Sequence, residues 1–479
     1  VSDSNDLNGT GGERPLEVLV IGGGVTGLAT AFRVLSGSKN GRRVAVTLVE
    51  SSDRFGGKIN TVREEGLILD GGPDAFVANK PFATRLCKDL GLGDRLIETI
   101  PENRSVYIQR KGRLHKLPEG VILGVPTRIL PMVTSPLFSK RGLARMGLDL
   151  VLPKGRDPDE SMASFVERRL GREALDRLAE PLLGGIYVGD PHKLSIRATF
   201  PQLAELEDAH RSLMLGTLKT RKLPKHGPPP SAFYSLKSGM SELPETLAKR
   251  VGELGATILT KTRVTDIAER SGGYDVTVRD ADGNERTLSA EHVVLAVPAA
   301  VATGLLAKIE PVASSILGSI EYVSSATCLL AYPRSAVPHR MDAVGALIPK
   351  HEGPRILAIS FMTSKWPFRG PDDTAVLRVF FGGYERESDV TVDDATMLAT
   401  AKRDLGTVLG VRGEPKIARF FRYVKANPQP FVGHLDRMRR VREALARHKG
   451  LHIGGMAYDG VGIPDCARQS EEIAKKILS

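Results

Sequence analysis

One short stretch constrains this chain more than any other. "LEVLVIGGGVTGLATAFRVL" carries Gly22, Gly24 and Gly27 in a GxGxxG pattern. The pattern follows a β-branched run (Val18 to Ile21) and opens a segment of small residues (Ala29, Ala31) that reads as a helix. The next predicted strand, "VAVTLVE", ends in an acid, Glu50, at about the spacing of twenty residues that a dinucleotide-binding βαβ unit requires. Each position has a physical task. Gly22 permits a tight turn, Gly24 lets a pyrophosphate approach the backbone, and Gly27 lets the helix pack on the strand. Gly23, Val25 and Thr26 complete the turn, and the helix start offers free N–H groups and a positive dipole end. Glu50, with Ser51 after it, can accept both ribose hydroxyls, and its charge repels a 2′-phosphate. The competing reading is a glycine turn in an unrelated βα unit.

The remainder is ordinary for a globular protein. With 479 residues, length alone suggests about two to four domains. The chain is 41% hydrophobic and 26% charged, and no apolar run is long enough to cross a membrane as a helix. The formal net charge of +11 favours acidic partners, but the basic residues are scattered along the chain. Cys87, Cys328 and Cys466 form no CxxC pair, which fits a reducing, cytoplasmic location. The first fifteen residues read as a disordered lead-in with no secretory signal. "SMASFVERRLGREALDRLAEPLL" has helical periodicity, Leu223 to Phe233 reads as a Pro/Gly-rich linker or loop, and "DADGNE" signals a hairpin. "EHVVLAVP" is expected to be a buried strand ended by Pro298.

Two further glycine turns separate FAD from NAD. "SSDRFGGKINT" supplies Arg54, Gly57 and Lys58, and "LILDGGPDAF" supplies Gly72, Pro73, Asp74 and Ala75. A simple NAD dehydrogenase has no need of these extra backbone approaches. "VIGGGVTGLATA…VTLVESSDRFGGKI" resembles the FAD-binding start of the amine-oxidase-like flavoproteins. "EPLLGGIYVGDPHKLSIRATFPQL", "EDAHRSLMLG", "LPEGVILGVPTRILP" and "AYDGVGIPDCARQ" resemble the oxygen-dependent protoporphyrinogen/coproporphyrinogen oxidase family, its Bacillus-like branch most of all. The resemblance runs from about Leu16 to near the end of the chain.

That resemblance implies an α/β fold, α+β overall: a Rossmann-like FAD-binding domain, a mixed-sheet substrate domain and a helical region of membrane-binding type. It implies FAD-domain segments at 15–86, 235–302 and 430–479. Substrate-domain segments follow at 87–103, 196–234 and 303–429, and the helical region at 104–195. The implied reaction is a six-electron oxidation of a porphyrinogen to a porphyrin in heme biosynthesis. Hydride passes to N5 of non-covalent FAD, and O2 is the acceptor, giving three H2O2. Coproporphyrinogen III is the implied natural substrate, with protoporphyrinogen IX also accepted, and the preference between them stays open. No catalytic side chain is implied.

The family also implies site residues. Arg104 falls where an arginine pairs with a substrate propionate, the alternative being a surface arginine. Gly185 matches a position whose carbonyl lies near the macrocycle edge, the alternative being a plain helix-ending turn. Leu347, Phe361 and Met362 resemble apolar walls of the ring site, the alternative being core strands. Lys58 and Val264 match FAD-contacting positions. Val461, Gly462 and Ile463 are expected to bring the C-terminal stretch onto the flavin, with Gly460 allowing close approach. Pro464 and Asp465 start a last helix whose positive end faces flavin N1 and the C2 carbonyl. One departure is Pro430 in "NPQPFVGH", where relatives often carry an aromatic. Trp366 reads as structural.

His115, His192, His210 and His434 lack metal-ligand spacing, so no metal is expected. The stretch from Leu117 to Arg156 mixes apolar residues with Arg128, Lys140, Arg141 and Arg145, a pattern able to lie on an anionic bilayer. It suggests a peripheral place on the inner face of the cell membrane and handover of product to a ferrochelatase. Two other readings compete. One is an amine oxidase or carotenoid desaturase of the same fold, for which Cys466 would be a candidate covalent anchor. The other is a basic nucleic-acid-binding module, disfavoured by 5% aromatics and no basic cluster.

Overall fold

The computed structural model describes residues 14–37, 43–122, 124–126, 128–220 and 231–479. The N-terminal lead-in and most of the Leu223–Phe233 linker lie outside them. Leu16–Ile21 forms the central strand of a five-stranded parallel sheet. The order is Thr257–Leu259, Val44–Val49, Leu16–Ile21, His292–Leu295 and Leu451–Ile453. A strand buried on both faces reads as a continuous apolar run, as "VLVI" and "HVVL" do. Helices Val25–Gly37, Pro81–Asp89, Glu242–Glu253 and Ile463–Leu478 cover one face. The other face packs against an antiparallel meander (Arg263–Arg270, Gly273–Arg279, Glu285–Ala290) and helices Ala299–Leu306, Pro311–Gly318 and His434–Leu445. The "DADGNE" turn joins the last two meander strands, Asp280 accepting from the backbone N–H groups of Asp282 and Asn284.

A seven-stranded mixed sheet forms the second layer system. Its order is Ile417–Pro428, Tyr322–Pro333, Thr374–Gly382, Ala358–Phe361, Gly345–Leu347, Val106–Arg110 and Arg113–Lys116. Helix Asp394–Leu409 buries its apolar stripe on this sheet. Asp393 caps its first turn and left-handed Gly410 ends it.

The segment 129–220 is a helical body with its own core. The periodic stretch predicted as helix is broken once, at Gly171, whose φ is +89°. Helix Met162–Leu170 ends there, and a second helical run continues from Arg172 to Ile186. Arg169 and Asp149 are fully buried and paired, Arg169 Nε donating to Asp149 Oδ1 at 2.7 Å. Ser212 and the Met214 N–H satisfy the other Asp149 oxygen. This answers the cost of a buried charge, since both members are hydrogen-bonded.

Candidate functional site

The glycine turn after Leu16–Ile21 is built from two close backbone contacts and one opening. Gly22 has φ +107°, and a Cβ there would stand 2.4 Å from the Ala296 carbonyl oxygen. A Cβ on Gly27 would stand 1.9 Å from the Gly22 oxygen. A Cβ on Gly24, in contrast, meets no atom within 4 Å. The space at Gly24 is bounded by Gly57, whose own Cβ would lie 3.9 Å from the Gly24 Cα. It sits at the start of helix Val25–Gly37, whose first residues Val25 and Thr26 are buried.

Glu50 stands at the end of the neighbouring strand. Its carboxylate accepts from the N–H groups of Gly23 and Ser52, both at 2.7 Å, and from the Ser51 hydroxyl at 3.3 Å. The Glu50 carbonyl accepts from Thr262 at 3.0 Å, which places Val264 two residues from the same strand end. Arg54 folds back onto the second glycine turn, donating to the carbonyls of Ile59 at 3.0 Å and Gly57 at 2.5 Å.

The third glycine turn touches the second. A Cβ on Gly72 would stand 1.9 Å from the Lys58 carbonyl oxygen. Lys58 reaches the other way, its ammonium donating to the Ala426 carbonyl. Burial pushes that ammonium down to about 8. The sequence carries no signal for Ala426, because it contributes only its backbone and lies 368 residues from Lys58. Half-buried Pro73 leads into Asp74, whose carboxylate turns toward the mixed sheet. Asp74 Oδ2 accepts from Lys365 Nζ at 2.6 Å and Trp366 Nε1 at 2.8 Å, and Arg378 lies 3.5 Å from Oδ1. Burial alone would push this carboxyl up. Lys365, Arg378 and the two hydrogen bonds outweigh it and hold the carboxyl well below the usual range. Ala75 packs on the small core that holds Met362 and Trp366. Trp366, fully buried, thus has a structural partner.

The C-terminal stretch closes on this turn. The Gly454 N–H donates to Leu295 at 3.1 Å, and a Cβ on Gly454 would lie 3.2 Å from the Thr26 methyl. Gly460 has φ +105°, and any Cβ there would strike the Asp465 carboxyl at 2.6 Å. Gly462 is the N-cap of helix Ile463–Leu478, and its N–H donates to Asp465 at 3.3 Å. Lys80 pairs with Asp465 at 2.7 Å. Val461 packs on the core of the helical body, so this stretch bridges the two regions. Cys466 is buried, and burial pushes its thiol up to about 11.

The candidate substrate residues are less convergent. Arg104 donates to Glu98 at 2.8 Å and to the Thr99 hydroxyl at 3.2 Å. Leu347 is half-buried against the helical body. Phe361 is fully enclosed in the core under helix Asp394–Leu409, 5.5 Å from the His339 ring. Met362, the next residue, is enclosed in the core around Trp366. The three apolar candidates therefore lie in three different cores and are not brought together. Gly185 lies near the end of helix Glu180–Ile186, which packs beside strands Gly345–Leu347 and Ala358–Phe361. His434 is buried near Tyr458, and burial, then Arg437, pushes it down to about 4. Among the described residues, no three His, Cys, Asp or Glu side chains are grouped as metal ligands.

Residues 25–478 match the family described as flavin containing amine oxidoreductase. The chain belongs to this family. The flavoprotein is 36% identical to coproporphyrinogen III oxidase of Bacillus subtilis (strain 168), over 96% of this chain and 98% of that one. It is 32% identical to coproporphyrinogen III oxidase of Staphylococcus aureus (strain NCTC 8325 / PS 47), over 96% and 99%. It also resembles the crystal structure of an Exiguobacterium sp. 255-15 protein assigned as a protoporphyrinogen oxidase. That likeness has a TM-score of 0.84 at 29% identity and covers 97% of this chain and 99% of the other.

The residues present fit a flavin nucleotide. The opening at Gly24 leaves room for an anionic group at a helix start. Glu50 stands one strand away; its Oε1 is taken by Ser51 and Ser52, and Oε2, which accepts from the Gly23 N–H, keeps a lone pair for a hydroxyl donor. The flavoprotein brings a second helix start, at Gly462, to the same end of the parallel sheet, where α/β folds place ligands.

Proposed function

We propose that this flavoprotein is an FAD-dependent, oxygen-dependent porphyrinogen oxidase of heme biosynthesis. It converts coproporphyrinogen III or protoporphyrinogen IX to the porphyrin with three O2 consumed and three H2O2 formed. The observation that carries this reading is the seam at Val461. The C-terminal glycine stretch meets the N-terminal glycine turn at Gly454 and the apolar core of the helical body at Val461. A nucleotide bound at the glycine turn would thereby lie beside apolar surface of the helical body, which suits a large macrocycle. The full-length similarity to coproporphyrinogen III oxidases supports the same reading.

Bound FAD would supply the redox chemistry, taking one hydride (two electrons) per turn while one proton is released, with O2 as the acceptor that gives H2O2. The chain supplies the rest. Gly22 to Gly27, Glu50, Ser51, Arg54, Gly57 and Lys58 hold the nucleotide, with Gly72 to Ala75 and Val264 around it. Val461 to Ile463 would offer a helix start to the ring system, whose negative charge on reduction such a positive end suits. Arg104, Gly185 and Leu347 would address the substrate, while Phe361 and Met362 are enclosed in two other cores. Non-covalent FAD is the expected state, and the burial of Cys466, which pushes its thiol up to about 11, supports it.

Aerobic incubation with coproporphyrinogen III and, separately, protoporphyrinogen IX tests the proposal. Porphyrin fluorescence is expected to rise well above autoxidation, with about three H2O2 per porphyrin, and the rate ratio sets the preference. Acid denaturation is expected to release the flavin. Autoxidation-level rates with both substrates would sink the assignment. Flavin retained by the denatured chain would shift it toward covalently flavinylated oxidases.

Among the described residues, no helix is long and apolar enough to cross a membrane. The helical body nonetheless exposes Val133, Leu148, Val151 and Leu218, and Lys140 and Arg141 on the same body are exposed as well. This pattern supports peripheral attachment on the cytoplasmic face and handover of an apolar product to a ferrochelatase. All three cysteines are free and buried, in keeping with a reducing location. Co-sedimentation with anionic vesicles, weakened by salt, is the expected result; recovery of all protein in the supernatant would remove this part of the proposal.

A further inference from the structure

The chain leaves the parallel sheet after Leu295 and re-enters a helix at Ala299, and the turn 296–299 between them forms the floor of the first glycine turn. The Ala296 N–H donates to the Ile21 carbonyl at 2.8 Å. The Ala296 carbonyl oxygen would stand 2.4 Å from a Cβ on Gly22, and its methyl 3.2 Å from a Cβ on Gly27. The Val297 side chain would stand 3.2 Å from the same Gly22 Cβ. A close-packed floor transmits small shifts, so any movement of this turn is felt at Gly22 and Gly27, on either side of the opening at Gly24.

Pro298 has no N–H to contribute, and two phenols from distant segments hold the turn. Tyr458 Oη donates to the Val297 carbonyl at 2.8 Å. The Ala299 N–H donates to Tyr322 Oη, also at 2.8 Å. Tyr458 is 4% exposed, in the core that holds Met438 and Val441. Burial pushes Tyr458 well above its usual value and Tyr322 up to about 12, so both phenols keep their protons.

Each phenol ties the turn to a different part of the molecule. Tyr458 lies in the C-terminal glycine stretch, and its N–H donates to the Gly455 carbonyl at 3.2 Å. The Gly455 N–H donates to Gln469 Oε1 on the last helix at 3.0 Å. Tyr322 opens the strand Tyr322–Pro333 of the mixed sheet. On that strand Thr327 Oγ1 donates to the Gly71 carbonyl, in the third glycine turn, at 2.7 Å. The first glycine turn is thereby set against both the last helix and the mixed sheet.

We infer that Tyr458 is a positioning residue for the flavin: by holding Val297, while Tyr322 holds Ala299, it fixes the floor under Gly22 and Gly27 and with it the opening at Gly24. This rests on the flavin-binding part of the proposed reading and not on porphyrinogen oxidation. Without the phenol, the Val297 carbonyl loses this donor beside an apolar core, and the turn relaxes. The fold contains a matched control. Tyr274 is fully buried and donates to the Lys449 carbonyl at 2.8 Å, the same kind of bond at the opposite end of the same sheet, ahead of strand Leu451–Ile453.

The test uses full-length, flavin-loaded protein and the variants Tyr458→Phe, Tyr322→Phe and Tyr274→Phe. Free flavin is read by its fluorescence on serial dilution, and melting curves are recorded alongside. Tyr458→Phe is expected to raise the flavin Kd about tenfold, the effect of losing one buried hydrogen bond. Tyr322→Phe is expected to raise it as well. Tyr274→Phe is expected to melt as low as Tyr458→Phe and to keep the parental Kd. Parental flavin affinity in Tyr458→Phe would overturn the inference. So would an equal loss of affinity in Tyr274→Phe, which would mark the effect as general destabilisation. Should Tyr458→Phe not fold, parental affinity in Tyr322→Phe would overturn it instead. If the flavin-loaded parent oxidises neither porphyrinogen, only the substrate assignment falls, and the dissociation constants still judge Tyr458.

Discussion

Replacing Gly24 by valine is expected to give a folded protein that binds no flavin. The side chain enters open space, because a Cβ at this position meets nothing within 4 Å. Its melting temperature without flavin should therefore match that of the parent stripped of flavin. The same space is the one a pyrophosphate needs, so flavin affinity should fall by at least about a hundredfold, equivalent to roughly 3 kcal/mol. Gly27→Val makes the opposite case. Its Cβ would stand 1.9 Å from the Gly22 carbonyl oxygen, so helix and strand must separate. Overpacking of this kind costs about 1–3 kcal/mol or more before any ligand is considered. Flavin absorbance of the purified proteins and their melting curves separate the two. A yellow Gly24→Val protein with parental flavin content would refute the assignment of that opening.

The second large effect concerns Asp74. Its carboxylate is the counter-charge for Lys365 and Arg378 and accepts from the Trp366 indole. Asp74→Asn keeps the shape and leaves two largely buried cations without an anion. Breaking a buried pair by removing one partner costs about 3–5 kcal/mol. The expected result is a large drop in the denaturant midpoint at pH 7. The pH dependence has a definite sign. The folded-state pKa is depressed, so this stabilisation is fully present above the unfolded value near 3.8 and is lost as pH falls below it. The parent should therefore lose stability in acid more steeply than Asp74→Asn. Equal midpoints at pH 7 would show that Asp74 is not the anchor described here.

Much of the proposed nucleotide site was legible as backbone structure because its signals are local. Gly22 and Gly27 carry positive φ or a close backbone approach, which only glycine tolerates. Glu50 follows a strand whose length and spacing are readable from a β-branched run. The last helix announces itself through Gly462, Pro464 and Asp465 at its start. The substrate half was harder. "GALIP" and "AISFMTSK" read as apolar, but apolar residues line sites and fill cores alike. Leu347 came to rest against the helical body, Phe361 under helix Asp394–Leu409 and Met362 beside Trp366. Strand pairing decides which face a side chain takes, and one residue of register reverses it.

The sequence by itself therefore determined the strand–glycine turn–helix unit, its partner acid and the capped final helix. Each depends on backbone conformation and side-chain period within a few residues. Only the tertiary structure decided that Asp74 serves Lys365, 291 residues away, and that Lys58 reaches Ala426. It alone showed that Gln429 reaches the Tyr187 carbonyl across 242 residues. Those contacts arise from the packing of two sheets and a helical body against one another. A buried donor or charge takes whichever partner that packing presents, and no local pattern encodes the choice.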